Sequence, residues 1–194
     1  MAGFPTPPEE RGSLELLARA KEGEDQAWNE LFERYHDELL FSIRRRLGPA
    51  LRQVLQSEDI FQSVALEAFR DLPRFEPRHE GGLRAFLHKL VLNKIRDRAD
   101  TYGAQKRRGA VPLSESLAAR LVAPGYHEAE RYEALEQALD RLPSEMAELL
   151  VRRKLDGESY AEIAADLGKS EAALRKVYSR GLARLCLIMA GKQP

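Results

Sequence analysis

Gly157-Glu158-Ser159-Tyr160-Ala161-Glu162-Ile163-Ala164-Ala165-Asp166-Leu167-Gly168-Lys169-Ser170-Glu171 is the stretch on which the fold turns. Ser159 and Glu162 stand three apart, the spacing of a capping box: the hydroxyl accepts from an otherwise unpaired backbone N–H, and the carboxylate reaches back to the cap residue. The helix they open is short, with Ile163, Ala164 and Leu167 facing inward. Gly168 can take the left-handed conformation that ends a helix, and Ser170 can cap the next one. That next helix is predicted to bury Leu174, Val177, Tyr178, Leu182 and Leu185 and to point Arg175, Lys176, Ser179 and Arg180 outward. Ala164 and Ala165 are small enough to let the two helices approach closely. Two helices joined by a tight glycine turn, the second basic on its exposed face, make a helix-turn-helix; the competing reading is an ordinary helical hairpin in a bundle. In the DNA-binding geometry Ser170, Glu171, Ala173, Lys176 and neighbours such as Ser179 approach base edges, while Arg175, Arg180 and Arg184 are candidates for phosphate contact.

Upstream, Leu135, Ala138, Leu139 and Leu142 form one helical stripe, and Met146, Leu149 and Leu150 form another after Pro143. Between residues 103 and 127 the pattern is interrupted by Gly103, Gly109, Pro112, Ser114, Ser116, Pro124 and Gly125, which predicts a linker with one short helix near residues 115–121. The first half of the chain is again helical. Leu14 and Leu17, then Ala27, Leu31 and Tyr35, then Leu39, Leu40, Ile43 and Leu47 fall at helical spacing, until Gly48-Pro49 stops the run. Ser57 is a good N-cap, followed by one face made of Ile60, Val64, Ala65, Leu66 and Phe69. Leu83, Phe86, Leu87, Leu90, Val91 and Ile95 make the last stripe, on which Phe86 counts as core, whereas His88 lies off that face. Strand alternation is nearly absent. The expected fold is all-α: a disordered tail over residues 1–12, a helical domain over 13–102, a flexible linker over 103–127 and a helix-turn-helix domain over 128–194.

The composition excludes much. With 194 residues, 43% hydrophobic and 32% charged, the chain is globular, not disordered. No apolar run approaches the roughly 18–20 residues of a bilayer span, and the first ten residues lack the basic and apolar regions of a signal peptide. The expectation is a cytoplasmic protein without membrane insertion. Cys186 is the only cysteine, so no internal disulfide forms; set among Leu185, Leu187, Ile188 and Met189, it is expected to be a buried small hydrophobe. His36, His79, His88 and His127 have no metal-ligand spacing, no glycine-rich phosphate loop is present, and Glu58-Asp59 reads as helix-end charge. No cofactor, metal or catalytic residue is expected, and the chain is not read as an enzyme.

Lys plus Arg and Asp plus Glu both number 31, for a formal net charge of +0, yet the charges are segregated. Residues 84–108 carry a surplus of about +6, residues 169–184 about +4, and residues 128–166 about −6. A single basic run is as readily a solvated helix face. Two such runs, one per predicted domain, suit one polyanion touched at two places.

With these residues in view, the sequence resembles the extracytoplasmic-function type of bacterial RNA polymerase sigma factor, over about residues 14–100 and 130–188. The opening Leu14…Ala20-Lys21…Gly23…Asp25-Gln26-Ala27-Trp28…Leu31-Phe32…Tyr35 looks like that family's first helix and turn. Ser57-Glu58-Asp59-Ile60-Phe61-Gln62 is similar to its acidic motif, which implies that Glu58, Asp59, Phe61 and Gln62 dock on the clamp helices of the polymerase largest subunit. Leu83-Arg84-Ala85-Phe86-Leu87-His88-Lys89-Leu90, followed by Asn93 and Asp97, resembles the helix that engages the minus-ten element. The resemblance thus assigns Arg78, Arg84, His88, Lys89, Asn93, Lys94, Arg96 and Arg98 to minus-ten DNA, with the loop over residues 78–82 and Asn93 helping to form a pocket for a flipped base. The helix-turn-helix looks like the domain that reads the minus-thirty-five element. Gln56 and Phe86 depart from the family's usual acid and tryptophan, and Val177 from a common basic residue.

The resemblance implies a protein that binds core RNA polymerase, including its flap, directs it to promoter DNA and helps melt the duplex. An anti-sigma factor that masks these surfaces is a usual partner of the family. The alternative is a stand-alone helix-turn-helix regulator, which needs a dimer interface and a ligand or phosphoacceptor domain that the sequence does not display.

Overall fold

The computed structural model describes residues 10–47, 49–77, 81–107 and 129–191. Regular structure in these residues is helical throughout, and the chain divides into two compact units. No described helix is long and apolar enough to cross a membrane.

The first unit contains α1 (Glu10–Lys21), α2 (Asp25–Arg46), α3 (Pro49–Arg52), α4 (Ser57–Asp71), a 3-10 turn (Leu72–Arg74) and α5 (Gly82–Arg107). The predicted stripes meet in one core: Leu17 of α1, Leu31, Tyr35 and Ile43 of α2, Ile60 and Val64 of α4, and Leu83, Leu87 and Val91 of α5. Burial of such side chains, worth about 1.5–3 kcal/mol each, holds helices that are marginal alone. Arg52 closes the C-terminus of α2, donating from Nε to the Leu47 carbonyl (2.7 Å) and from its terminal nitrogen to the Arg44 carbonyl (2.6 Å).

Four expectations need correction here. Helix α1 begins at Glu10 and buries Ser13 completely, so helix occupies the last residues of the expected tail. Ser57 is the first residue of α4, and the cap position belongs to Gln56, in extended conformation. Helix α5 runs through Gly103 to Arg107, beyond the expected boundary at 102, because the roughly 1 kcal/mol that glycine costs does not break a helix already propagating. Beyond Ile95, no α5 residue over 96–104 is buried. Lastly, Leu66 (57% exposed) and Phe69 (51%) stand outside the core. The buried residues of α4 sweep an arc of roughly 140° from Ile60 to Ala65, and Leu66 falls about 100° past its edge. The short helix expected near residues 115–121 lies outside the described residues.

The second unit contains α6 (Ala129–Asp140), α7 (Ser144–Lys154), α8 (Tyr160–Leu167) and α9 (Glu171–Met189), with α9 packing against the other three. The capping box forms as expected: the Glu162 N–H donates to Ser159 Oγ (3.2 Å) and the Ser159 N–H to Glu162 Oε2 (2.6 Å). Gly168 ends α8 in the left-handed conformation, with φ at 62°, and Ser170 Oγ accepts from the Ala173 N–H (3.2 Å) to start α9. Arg152 fastens α7 to the turn before α8. It donates to the Glu158 carboxylate (2.6 Å) and to Asp166 Oδ2 (2.7 Å), and these partners raise its pKa.

Some inward assignments shift. Leu167, at the turn, is 36% exposed; Ala165 is exposed, so Ala164 alone of the alanine pair packs against the core; Cys186 is half-buried. Gly181 is buried in mid-helix, and a Cβ there would stand 3.2 Å from Met146 Cβ and 3.5 Å from a Leu150 methyl. Its missing side chain sets how closely α7 and α9 approach.

Replacing Gly181→Val is expected to destabilise the second unit by about 1–3 kcal/mol through overpacking, and Ser159→Ala by about 1 kcal/mol through loss of the cap. Thermal unfolding of the full chain measures both. A Gly181→Val variant that melts like the wild type contradicts the close approach.

Candidate nucleic-acid interface

The exposed surface of α9 sorts the predicted residues into two stripes. Ala173, Lys176, Arg180 and Arg184, all exposed, follow one another at three- and four-residue steps. Glu171, Arg175 and Ser179 form the second, more constrained row. Arg175 donates to Glu171 Oε2 (3.1 Å) with its guanidinium over the Tyr160 ring, 4.4 Å from the centroid, and Ser179 Oγ donates to the Arg175 carbonyl (2.9 Å). Ser170 Oγ is committed to capping α9, which limits its part in base contact. Lys176 and Arg180 therefore lead the outward cationic face. A helix so capped and so charged is a shape that fits a major groove.

On α5 the prediction divides more sharply. Lys89, Asn93 and Arg96 share one face at steps of four and three; Lys89 and Arg96 are exposed and Asn93 half-buried. Arg98, also exposed, points instead toward α4, with a 3.5 Å contact from its guanidinium to Ser63 Oγ. Lys94 is ion-paired with Glu67 of α4. Arg78 lies outside the described residues. Phe86 is partly buried against the core, its ring 4.8 Å from that of Phe75, in keeping with a packing role.

Two minus-ten assignments are overturned. His88 has no exposed surface: its Nε2 is 2.6 Å from Glu38 Oε1 and its Nδ1 is 3.0 Å from Ser42 Oγ. Arg84 donates from Nε to the same Glu38 oxygen (2.6 Å) and is mostly covered. Arg46 donates to Ser42 Oγ (2.5 Å), which leaves the serine proton for His88 Nδ1 and the His88 Nε2–H for Glu38, a tautomer assigned from its partners. The carboxylate of Glu38, 2% exposed, thus sits on α2 as the receiver of two α5 donors. Burial alone would raise its pKa, but the hydrogen bond from His88 and the charge and hydrogen bond of Arg84 outweigh burial and hold it below the ordinary carboxylate value. Alternation of polar and apolar residues could not reveal this, since the partner Glu38 lies 46 and 50 positions away in sequence.

The acidic motif on α4 is likewise only partly outward. Glu58 is exposed, and Asp59 and Gln62 are half-buried. Phe61 is not a docking residue: it is 6% exposed, inside the core, with its ring against that of His36 (4.7 Å, edge-on). In its place Leu66 and Phe69 continue the outward row from Glu58 and Gln62, and Phe69 also touches the Trp28 ring (centroids 5.2 Å apart). Sequence reading missed these two because apolar residues at helical spacing look like core. The signal was available in the width of the stripe, too broad for one buried face. No group of three or more potential metal ligands occurs among the described residues.

Residues 31–104 match the sequence profile of Sigma-70 region 2, and residues 132–185 match that of Sigma-70 region 4. The ECF RNA polymerase sigma factor SigD of Mycobacterium tuberculosis is 31% identical over 175 residues, covering 88% of this chain and 80% of SigD. SigM of the same species, also an ECF RNA polymerase sigma factor, is 29% identical over 180 residues, covering 93% of this chain and 86% of SigM. Among solved structures, CnrH in complex with the cytosolic domain of CnrY is similar at a TM-score of 0.44 and 26% identity, over 91% of this chain and 96% of that one.

Because folding lowers the Glu38 pKa, its contribution to stability is present above the ordinary carboxylate value and is lost as pH falls through the lowered, folded one. Glu38→Gln is expected to cost about 3–5 kcal/mol at neutral pH, by stranding Arg84 and His88, and to flatten the loss of stability on acidification. Urea unfolding of the first unit from pH 7 to pH 3 checks both effects; an unchanged acid slope contradicts the assignment.

Proposed function

The chain belongs to the ECF RNA polymerase sigma factors, and from that membership we propose how its two units divide the work. It is a transcription initiation factor that binds core RNA polymerase and directs it to promoter DNA. In our reading it carries out no catalysis of its own and works in the cytoplasm, beside the chromosome its polymerase transcribes.

The first unit docks on the polymerase through the outward row of α4, where Glu58, Asp59 and Gln62 supply polar contacts to the clamp helices of the largest subunit and Leu66 and Phe69 supply apolar area. Along α5, Lys89, Asn93 and Arg96 line the path of the minus-ten strand, with Arg98 a candidate at its margin; Arg78 stays a candidate by family resemblance alone. A basic face with an amide between its cations suits unpaired bases on a charged backbone. The second unit, which also meets the polymerase flap, places α9 in the major groove of the minus-thirty-five element. There Lys176 and Ala173 approach base edges, and Arg180 and Arg184 meet phosphates. An anti-sigma partner would act by covering these same surfaces.

The observation that carries this reading is the capped α8–turn–α9 unit with its outward row Lys176–Arg180–Arg184. Each contact is weak alone, and joining both units in one chain raises the effective concentration of the second contact once the first has formed.

In vitro transcription with purified core enzyme tests it. Core plus this chain is expected to initiate at defined start sites, whereas the chain alone binds the same promoters weakly. Removing Lys176 and Arg180 together (Lys176→Ala with Arg180→Ala) should weaken promoter binding and lower the salt slope by about one to two. Tight promoter binding as a dimer without core would favour a stand-alone regulator instead.

A further inference from the structure

Between α7 and α9 runs a chain of contacts centred on one aromatic ring. Tyr160, the first residue of α8, carries two guanidiniums over its ring: Arg153 of α7 at 4.5 Å from the centroid and Arg175 of α9 at 4.4 Å. Tyr178 meets the same ring edge-on, at 5.9 Å and 89°. Each cation has a second partner. Arg153 donates to the Glu158 carbonyl, and Arg175 donates to Glu171 Oε2 at 3.1 Å.

Two like charges converging on one ring repel each other, so the arrangement depends on the attraction of each guanidinium to the electron-rich face and on these anionic or carbonyl partners. An exposed arginine ordinarily samples many rotamers and must be ordered when it binds. Here the ordering is done in advance: the ring fixes where the Arg175 head sits, and the head in turn holds the Glu171 carboxylate. Both lie in the first two turns of α9, the part of a recognition helix that meets base edges. Their chemistry is directional, since a guanidinium pairs with guanine and a carboxylate accepts from the cytosine amino group.

We propose that Tyr160 is a positioning residue for promoter recognition, holding Arg175, and through it Glu171, in the geometry that reads duplex base edges in the major groove. This rests on the reading of α9 as the minus-thirty-five helix. It also separates two roles on that helix. Arg180 and Arg184, on phosphates, supply affinity without sequence information, whereas Arg175, its charge partly balanced by Glu171, adds sequence discrimination beside Lys176. The Tyr160 hydroxyl is not needed; the ring face is.

The test uses holoenzyme assembled from core polymerase and the full chain, with binding followed on a cognate promoter and on one with a scrambled minus-thirty-five element. Tyr160→Phe should stay within about twofold of wild type, and Tyr160→Leu should lose about three- to tenfold on the cognate promoter only. The salt slope should remain unchanged in Tyr160→Leu, whereas a general loss of the folded domain would lower it. In an Arg175→Ala background, Tyr160→Leu should add less than about twofold, because the two act as one unit. Should Tyr160→Leu fail to fold, Arg175→Lys, a surface change that keeps the charge and discards the planar group, takes its place and should also lose discrimination.

The inference is overturned if Tyr160→Leu binds like wild type, if Tyr160→Phe falls as far as Tyr160→Leu, if the two losses simply add, or if Arg175→Lys discriminates normally. Failure of the Lys176→Ala/Arg180→Ala pair to weaken binding would instead overturn the reading of α9 itself. Weakened binding in that pair, with Tyr160→Leu unaffected, removes only the role given to Tyr160.

Discussion

A single buried carboxylate organises the first unit. Glu38 has been taken out of water and surrounded by Arg84 and His88, with Ser42 and Arg46 completing the hydrogen-bond chain. An isolated buried charge is costly, so this one is tolerable only while both α5 donors remain in place; breaking such a pair leaves an uncompensated ion. The geometry is correspondingly selective. Rotating α5 by one residue would withdraw both donors together, whereas sliding a purely apolar face would merely exchange one hydrophobic contact for another. By fixing the rotation of α5, Glu38 decides which α5 cations face outward and which are spent on packing.

This explains why charge alone was an incomplete guide. The basic run over residues 84–108 looks uniform in sequence, but the fold divides it. Arg84 is consumed by Glu38, Lys94 by Glu67, and Lys89 and Arg96 are left on a common outward face with Asn93. On α9 the same sorting gives a free row led by Lys176 and Arg180 and a tied row in which Arg175 is held by Glu171 and Tyr160. Net surplus therefore overstates the number of cations at hand for a polyanion, and the arrangement of those that remain matters more than their count.

The helix-turn-helix was legible because its determinants are local. Ser159 and Glu162, Gly168 and Ser170 act within three or four residues of themselves, and each appears in the structure in the role its chemistry suggests. The all-helical architecture was legible for the same reason, since stripes at helical spacing carry their own period. What escaped were residues whose role is set by distant partners. His88 sits off the apolar stripe and so resembled a surface group, until α2 supplied Glu38 and Ser42. Phe61 and Phe69 exchanged places for a related reason: both are aromatic on one helix, and only the placement of α2 decides which ring goes inside. Gly181 is a further case: nothing near it in sequence marks the tight space that Met146 and Leu150 of α7 leave beside it.

The length of α5 has a mechanical meaning. Over residues 96–104 none is fully buried, so this half relies on its own backbone hydrogen bonds, on local pairs such as Thr101 Oγ1 to the Asp97 carbonyl (2.8 Å), and on the contact from Arg98 to Ser63 of α4.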